Sequence, residues 1–285
     1  MTAVPATRPV GPASRRPDTA PDPAPAPSAS FLTGLRVLSR RSLRHSFRDP
    51  ESVLMAVLLP VMMMLIFVYV LGGAITVGDG APTRTVYVGY VLPAIALTTA
   101  GYGASFTAVV VSNDMTTGLI DRLRTMPFPA VTVLLGHAVG SMARNLLATV
   151  VVVLVALAVG FRTDASAAHL LAAFGLVALW VLVITVVFAT LGMIAGSAEA
   201  ASGYGFALLF LPYLSSGFAP VETMPGWLAA FAAHQPMTPL IDASRALLDG
   251  RSPGSDALVA VLWCAGFLGI AIAVAAYVFP RRTAR

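Results

Sequence analysis

Lysine is absent: all 18 basic residues of the 285-residue chain are arginine. That removes the P-loop lysine of nucleoside triphosphatases, the Schiff-base lysine and the lysine general base. ATP hydrolysis of the P-loop kind is therefore excluded for this chain acting by itself. Cysteine is nearly absent, with Cys264 alone in an apolar run, so neither an intrachain disulfide nor a thiol-rich metal site is available. Charge is scarce, at 11% of residues against roughly a quarter in a soluble domain. There is no His-Glu-x-x-His zinc motif and no Gly-x-Ser-x-Gly elbow. The cluster Gly101-Tyr102-Gly103 lacks the third glycine and the strand-to-helix setting of a nucleotide loop. His45, His137, His169 and His234 fall on separate segments, as packing or interfacial histidines do. No Asp or Glu stands in the middle of a long apolar run, which argues against a proton or sodium relay.

What the chain has is apolar length. Hydrophobic residues make up 57% and the mean hydropathy is +0.83, which describes an all-α, multi-pass membrane protein. Residues 1–30 carry eight prolines among Ala, Ser and Thr and read as a disordered cytoplasmic tail, without the apolar core of a signal peptide. In residues 31–50, Phe31, Leu32, Leu35, Leu38 and Leu43 share one side of a helix while Arg36, Arg40, Arg44 and Arg48 share the other. That pattern suits a helix lying on an anionic membrane surface, or a solvated juxtamembrane helix. The membrane domain, 51–280, contains six expected spans: 52–71, 86–111, 145–161, 169–195, 200–217 and 257–279. Each is judged against the roughly 20 helical residues that cross a bilayer core. The third helix is expected to start near Ala130, ahead of its span, with Arg144 at the inner boundary. Residues 281–285 form a basic end.

Six spans place both termini on one side. With the termini inside, the inner face carries eleven arginines and the outer face only Arg84, Arg162, Arg245 and Arg251, leaving out the remote tail. This favours cytoplasmic termini and the cell membrane as location. No internal repeat is visible, unlike secondary transporters built from inverted halves. The inner loop 112–130 holds Leu119, Ile120 and Leu123 interleaved with Asp121, Arg122 and Arg124, closed by Pro127 and Pro129. A short helix with a charged and an apolar face suits docking on a partner; a solvated cap would look the same. The outer segment 217–248 is proline-broken yet carries Phe218, Trp227, Leu228 and Phe231, so it belongs at the outer interface without spanning. Gly136-x-x-x-Gly140 and Gly192-x-x-x-Gly196 suggest close helix contacts. Met62, Met63, Met64, Phe67 and Tyr102 could line an apolar path, or simply pack helices.

Two strings carry a resemblance. Asp114-x-x-x-Gly118-Leu119-Ile120-Asp121-Arg122-x-Arg124-x-x-Pro127 resembles the coupling-loop signature of type-2 ABC export permeases of the daunorubicin-resistance class. Phe218-Ala219-Pro220-Val221-Glu222-Thr223-Met224-Pro225-Gly226-Trp227, followed by His234-Gln235-Pro236-x-Thr238-Pro239 and Asp242-x-x-Arg245, is similar to that family's segment before its last helix. Asp114 stands where the family commonly has glutamate, a shorter acid of the same charge. The resemblance covers residues 31–280. It implies a six-helix permease that pairs with a second permease chain and with two copies of an ABC ATP-binding subunit. ATP and magnesium then sit on that subunit, and this chain binds no cofactor or metal. The loop around Asp121 and Arg122 would contact the ATPase, with Glu199 in a turn on the same inner face. Short re-entrant helices including Glu222, Pro225, Trp227, Asp242 and Arg245 would form an outer gate. The implied cargo is an amphipathic drug, antibiotic or lipid. A glycan or glycolipid is the alternative, and an ion-coupled carrier lacks the buried carboxylates it needs.

Overall fold

The computed structural model describes residues 36–37, 39–40, 42–43, 50–75, 83–116 and 131–282. The tail 1–30, most of the amphipathic segment 31–50 and the basic end 283–285 lie outside the described residues. So do the coupling-loop residues Gly118, Asp121, Arg122, Arg124 and Pro127.

Helix α1, Pro50–Ile66, continues into a π-helical turn, Phe67–Leu71. It is followed by α2, Arg84–Thr116; α3, Val131–Val159; α4, Ala167–Ile194; and α5, Ala198–Leu209. After two short 3-10 turns, Leu211–Leu214 and Val221–Thr223, come α6, Gly226–His234, α7, Met237–Leu248, and α8, Gly254–Arg282. Among the described residues there is no strand. Five helices are long and apolar enough to cross a membrane: Val53–Leu71, Arg84–Thr116, Ala138–Val159, Ala167–Ile194 and Gly254–Val278. They coincide with five of the six expected spans.

Helix α2 is central and packs most extensively against α4, then against α3 and α5. Its sequence explains the position. Ala100, Ala104 and Ala108 are fully buried at four-residue spacing, a small-residue stripe that lets neighbouring backbones come close. Opposite that stripe, a Cβ on Gly192 would lie 2.4 Å from the Ala108 carbonyl oxygen, so α4 touches α2 backbone to backbone there. Gly140 is equally constrained, with Ser42 Oγ 2.2 Å from its ideal Cβ, whereas Gly196 faces open space. Helices α1 and α8 form the periphery and turn Leu54, Ile66, Leu258, Leu262 and Ile270 outward. Lipid tails solvate such faces at no cost.

The fifth expected span, 200–217, departs from a continuous helix. Helix α5 has 12 residues and is about 18 Å long at 1.5 Å per residue, short of a bilayer core. Pro212 has no N–H for a ladder bond and its ring disfavours helix in the residue before it, so the chain tightens into the 3-10 turn Leu211–Leu214. The segment 198–218 nevertheless runs along most of α2. Leu209 meets Gly101, the Tyr213 hydroxyl lies 2.9 Å from that of Tyr102, Gly217 abuts Ala94, and the Phe218 carbonyl accepts from Tyr87.

Arg144 also departs from its expected surroundings. It lies within α3 with only 6% of its surface exposed, and Nη2 donates to the Gly103 carbonyl of α2 at 3.1 Å. The Phe106 ring is 5.9 Å from its guanidinium carbon. Next to it, fully buried Asn145 reaches the Ala100 carbonyl, and Thr107 donates to Ser141 at 2.6 Å. A polar seam therefore joins α2 and α3, which is how a protein keeps an arginine beside an apolar run.

Candidate functional site

Irregular backbone inside a membrane bundle must find hydrogen-bond partners in the protein, because hydrocarbon offers none. The stretch 211–218 finds them in two sets of side chains. From α2, the Tyr87 hydroxyl donates to the Phe218 carbonyl at 3.0 Å and the Tyr90 hydroxyl to the Ser216 carbonyl at 2.7 Å. From the segment around α7, Gln235 Nε2 approaches the Leu211 and Leu214 carbonyls at 3.4 Å, and Thr238 Oγ1 accepts from the Ser216 N–H. Arg245 completes the clasp. Its Nη2 donates to the Ser216 carbonyl at 2.9 Å, Nε and Nη2 both reach the Tyr90 carbonyl, and Nη1 pairs with Asp242 Oδ1 at 2.6 Å. The guanidinium also lies 3.8 Å from the centre of the Tyr90 ring, within cation–π range. Asp242 in turn accepts from the Ser216 hydroxyl at 2.8 Å. Burial raises the Asp242 carboxyl above its ordinary value, against the opposing pull of Arg245 and the Ser216 hydroxyl.

Thr238, Asp242 and Arg245 are spaced four and three apart, which places them on one face of α7, and Gln235 precedes that helix in extended backbone. That face is turned to the unwound stretch. Behind it, Phe67, Tyr213 and Phe218 form an aromatic stack, with Tyr213 and Phe218 centroids 4.9 Å apart and Phe67 4.5 Å from Phe218. Of the side chains proposed to line a path, Phe67 and Tyr102 join this cluster, Met64 is fully buried, and Met62 is exposed on the periphery.

The structure thus brings Asp242 and Arg245 together, but not the other residues expected beside them. Glu222 is exposed in its 3-10 turn and makes no ion pair among the described residues. Pro225 caps α6, and Trp227 in the first turn of α6 is 76% exposed. Trp227→Ala removes no core contact and is expected to keep stability within about 0.5 kcal/mol. Thermal unfolding in detergent checks this, and a large drop would mean that the indole is packed.

Asp114 and Glu199 occupy the opposite end of the bundle. There Val111 and Met115 of α2 pack with Ala189 and Met193 of α4, in its last two turns before the chain passes into α5. Glu199 is exposed in the first turn of α5, after Ser197, whose Oγ accepts from the Ala200 N–H at 3.2 Å. Its own backbone N–H, and then the Ser197 hydroxyl, hold its carboxyl below the ordinary value. Asp114 is partly exposed near the end of α2.

This architecture, a bundle of long apolar helices with a short-helix segment clasping an unwound stretch, overlaps a family match. Residues 33–248 match the model of the ABC-2 type transporter. The chain belongs to the ABC-2 type transporter family. It is 29% identical over 222 residues to a daunorubicin resistance ABC transporter permease protein of Streptomyces coeruleorubidus, covering 78% of this chain and 77% of that relative. It is 25% identical over 239 residues to a probable doxorubicin resistance ABC transporter permease protein of Mycobacterium tuberculosis, covering 83% and 84%. The ABC-2 permease is accordingly a multi-pass membrane component of an ABC transporter, and membership implies an ATP-binding partner subunit. Sequence reasoning did not single out Tyr87, Tyr90, Ser216, Gln235 and Thr238 as site residues. The one-face spacing of 238, 242 and 245 in α7 was the available signal.

Proposed function

We propose that this ABC-2 permease is the membrane half of an exporter that moves amphipathic or lipophilic molecules, such as drugs, antibiotics or lipids, out of the cell. The observation that carries the reading is similarity, over about four-fifths of both chains, to permeases named for daunorubicin and doxorubicin resistance. In this reading the segment 198–218 is the sixth crossing, part helix and part unwound, and both termini are cytoplasmic. The arginine asymmetry and the antiparallel course of the segment along α2 support that topology. A second permease chain and two ATP-binding subunits complete the transporter. ATP and magnesium belong to those subunits, and the lysine-free sequence of this chain suits a role without a nucleotide site.

The two ends then divide the work. The loop with Gly118, Asp121, Arg122, Arg124 and Pro127, flanked by Asp114, receives the ATPase, and Glu199 adds a charge at the same end. The clasp of Asp242 and Arg245, with Glu222, Pro225 and Trp227 above it, acts as the outer gate. Its charged and hydrogen-bonded partners make two discrete states natural, since a half-broken polar network is costly.

The test is to express the permease with its ATPase subunit and follow doxorubicin accumulation in cells. Asp121→Ala and Arg122→Ala are expected to leave membrane insertion intact and to abolish most export, because their charges lie outside the bilayer. Trp227→Ala is expected to alter export while assembly with the ATPase stays normal. Full export in both loop variants would remove the loop from coupling. Accumulation unchanged by the intact transporter would remove the drug reading.

A further inference from the structure

Beside the clasp, and sharing Tyr90 and Arg245 with it, lies a cavity of about 460 Å³. It opens where two candidate spans end, at the first residues of α2 and the last of α3, and therefore at the level of lipid headgroups. Arg162, Arg245 and Arg251 line it against a single acid, Asp249. The Tyr90 and Phe161 rings and exposed Val86 supply an apolar side.

The positions of two of these arginines are fixed by matching helix ends. Helix α3 closes at Gly160, φ 121°, with the Phe161 N–H bonded to the Ala156 carbonyl and the Gly160 N–H to that of Leu157. Helix α7 closes at Gly250, φ 71°, with the Arg251 N–H bonded to the Ala246 carbonyl and the Gly250 N–H to that of Leu247. Both are Schellman terminations, which consume the last carbonyls and set the next residues in place. Arg162 adds to this by donating through Nη1 to the Leu157 and Phe161 carbonyls at 2.8 and 2.7 Å. The negative ends of the two helices are thereby largely satisfied. The third helix end, the start of α2, presents the first-turn N–H of Thr85 and the positive end of a 33-residue helix, the Val86 N–H being turned to Thr83 Oγ1 at 3.4 Å.

The three arginines are not equally committed. Arg245 spends its donors on Asp242, Tyr90 and Ser216. Arg162, which lines the cavity, has only neutral carbonyl partners among the described residues, so no acid among them balances its charge. Arg251 holds Asp249 in a surface pair with side chains 66% and 47% exposed, a contact that stabilises little and is readily exchanged. Two exposed guanidinium forks and a helix N-terminus converging on a half-apolar cavity match a phosphate attached to something greasy.

We propose that this cavity binds the phosphate headgroup of an anionic lipid, gripped by Arg162 and Arg251, with its acyl chains running down the exposed apolar side at Val86. A lipid fits better than free phosphate because Phe161 and Tyr90 would otherwise contact an ion that gains nothing from them.

The full-length permease, purified in neutral detergent, is titrated with phosphatidylglycerol, phosphatidylcholine and inorganic phosphate, and bound lipid is read by native mass spectrometry. Phosphatidylglycerol is expected to bind in preference to phosphatidylcholine. Arg162→Gln with Arg251→Gln should weaken it by about tenfold or more, one decade of dissociation constant. Each single variant should give part of that loss. Arg84→Gln, at a guanidinium that instead covers the Tyr69 ring, should leave binding unchanged. Because Arg162 and Arg251 are exposed, the variants should elute as the parent does from size exclusion, and the single variants decide the matter if the double one does not. Equal binding of the two lipids, or undiminished binding in the variants, overturns the site. Displacement of the lipid by equimolar inorganic phosphate would show an anion site with no lipid specificity and overturn the lipid assignment.

Discussion

Arg245→Met is expected to lower stability by about 2–4 kcal/mol and to abolish most export, while assembly with the ATPase subunit stays intact. The arginine binds two backbone carbonyls and one carboxylate, and methionine keeps much of its volume while keeping none of its donors. The Ser216 carbonyl retains Tyr90, but Asp242 loses its only cation among the described residues. Its side chain is 31% exposed and that of Arg245 is 15% exposed, so water softens the penalty below that of a fully buried pair. The defect should depend on pH with a definite sign. An Asp242 carboxyl already raised by burial rises further without Arg245, so its folded value exceeds its unfolded one. Such a group favours the folded state while protonated and loses that advantage as pH rises through the folded value. The stability gap between variant and parent should therefore narrow toward acidic pH and widen at neutrality. Adding Asp242→Asn should recover part of the loss, because the unpaired charge is gone. Thermal unfolding across pH measures all three, and a pH-independent gap with no recovery would show that the pair does not hold the clasp.

Gly103→Val is expected to cost more than about 3 kcal/mol and to prevent accumulation of folded protein. A Cβ at this position would lie 1.4 Å from Asn145 Oδ1 and 2.4 Å from its Cγ. Asn145 is fully buried and cannot swing away, so α3 would have to leave α2 and take the Arg144 hydrogen bond with it. The smaller change Gly103→Ala should also destabilise strongly. Combining it with Asn145→Ala should restore much of the stability, since the colliding group is removed along with one long hydrogen bond of 3.4 Å. Fluorescence-detected size exclusion after heating reads each variant. A Gly103→Ala protein as stable as the parent would show that the helices separate more easily than their packing indicates.

Five long helices were legible because apolar runs of about 20 residues have few alternative explanations. Gly103 was visible in the sequence as a failed nucleotide loop, and its actual work, admitting Asn145, depends on a contact 42 residues away that no local pattern encodes. Arg144 was read from its position before an apolar run. Its burial against α2 required knowing which carbonyl would receive it. The fifth helix looked continuous because 200–217 is mostly apolar and carries no charge, but Pro212 and the Ser215-Ser216-Gly217 sequence divert the backbone. Asp242 and Arg245 were singled out in the segment before the last helix, while the tyrosines that complete the clasp sit in α2 and resembled ordinary span residues.

Apart from the Ser216 hydroxyl, which donates to Asp242, the clasp is encoded on one side. Its donors at 87, 90, 235 and 245 are side chains, but the acceptors at 211, 214, 216 and 218 are peptide carbonyls, which every residue carries. Codon changes in the unwound stretch therefore leave the acceptors in place, whereas a change in a donor abolishes its bond outright. Sequence drift in homologous permeases should accordingly be greater at 211 and 214 than at 235 and 245. The side chains of the unwound stretch can therefore vary without unfastening the fold around it.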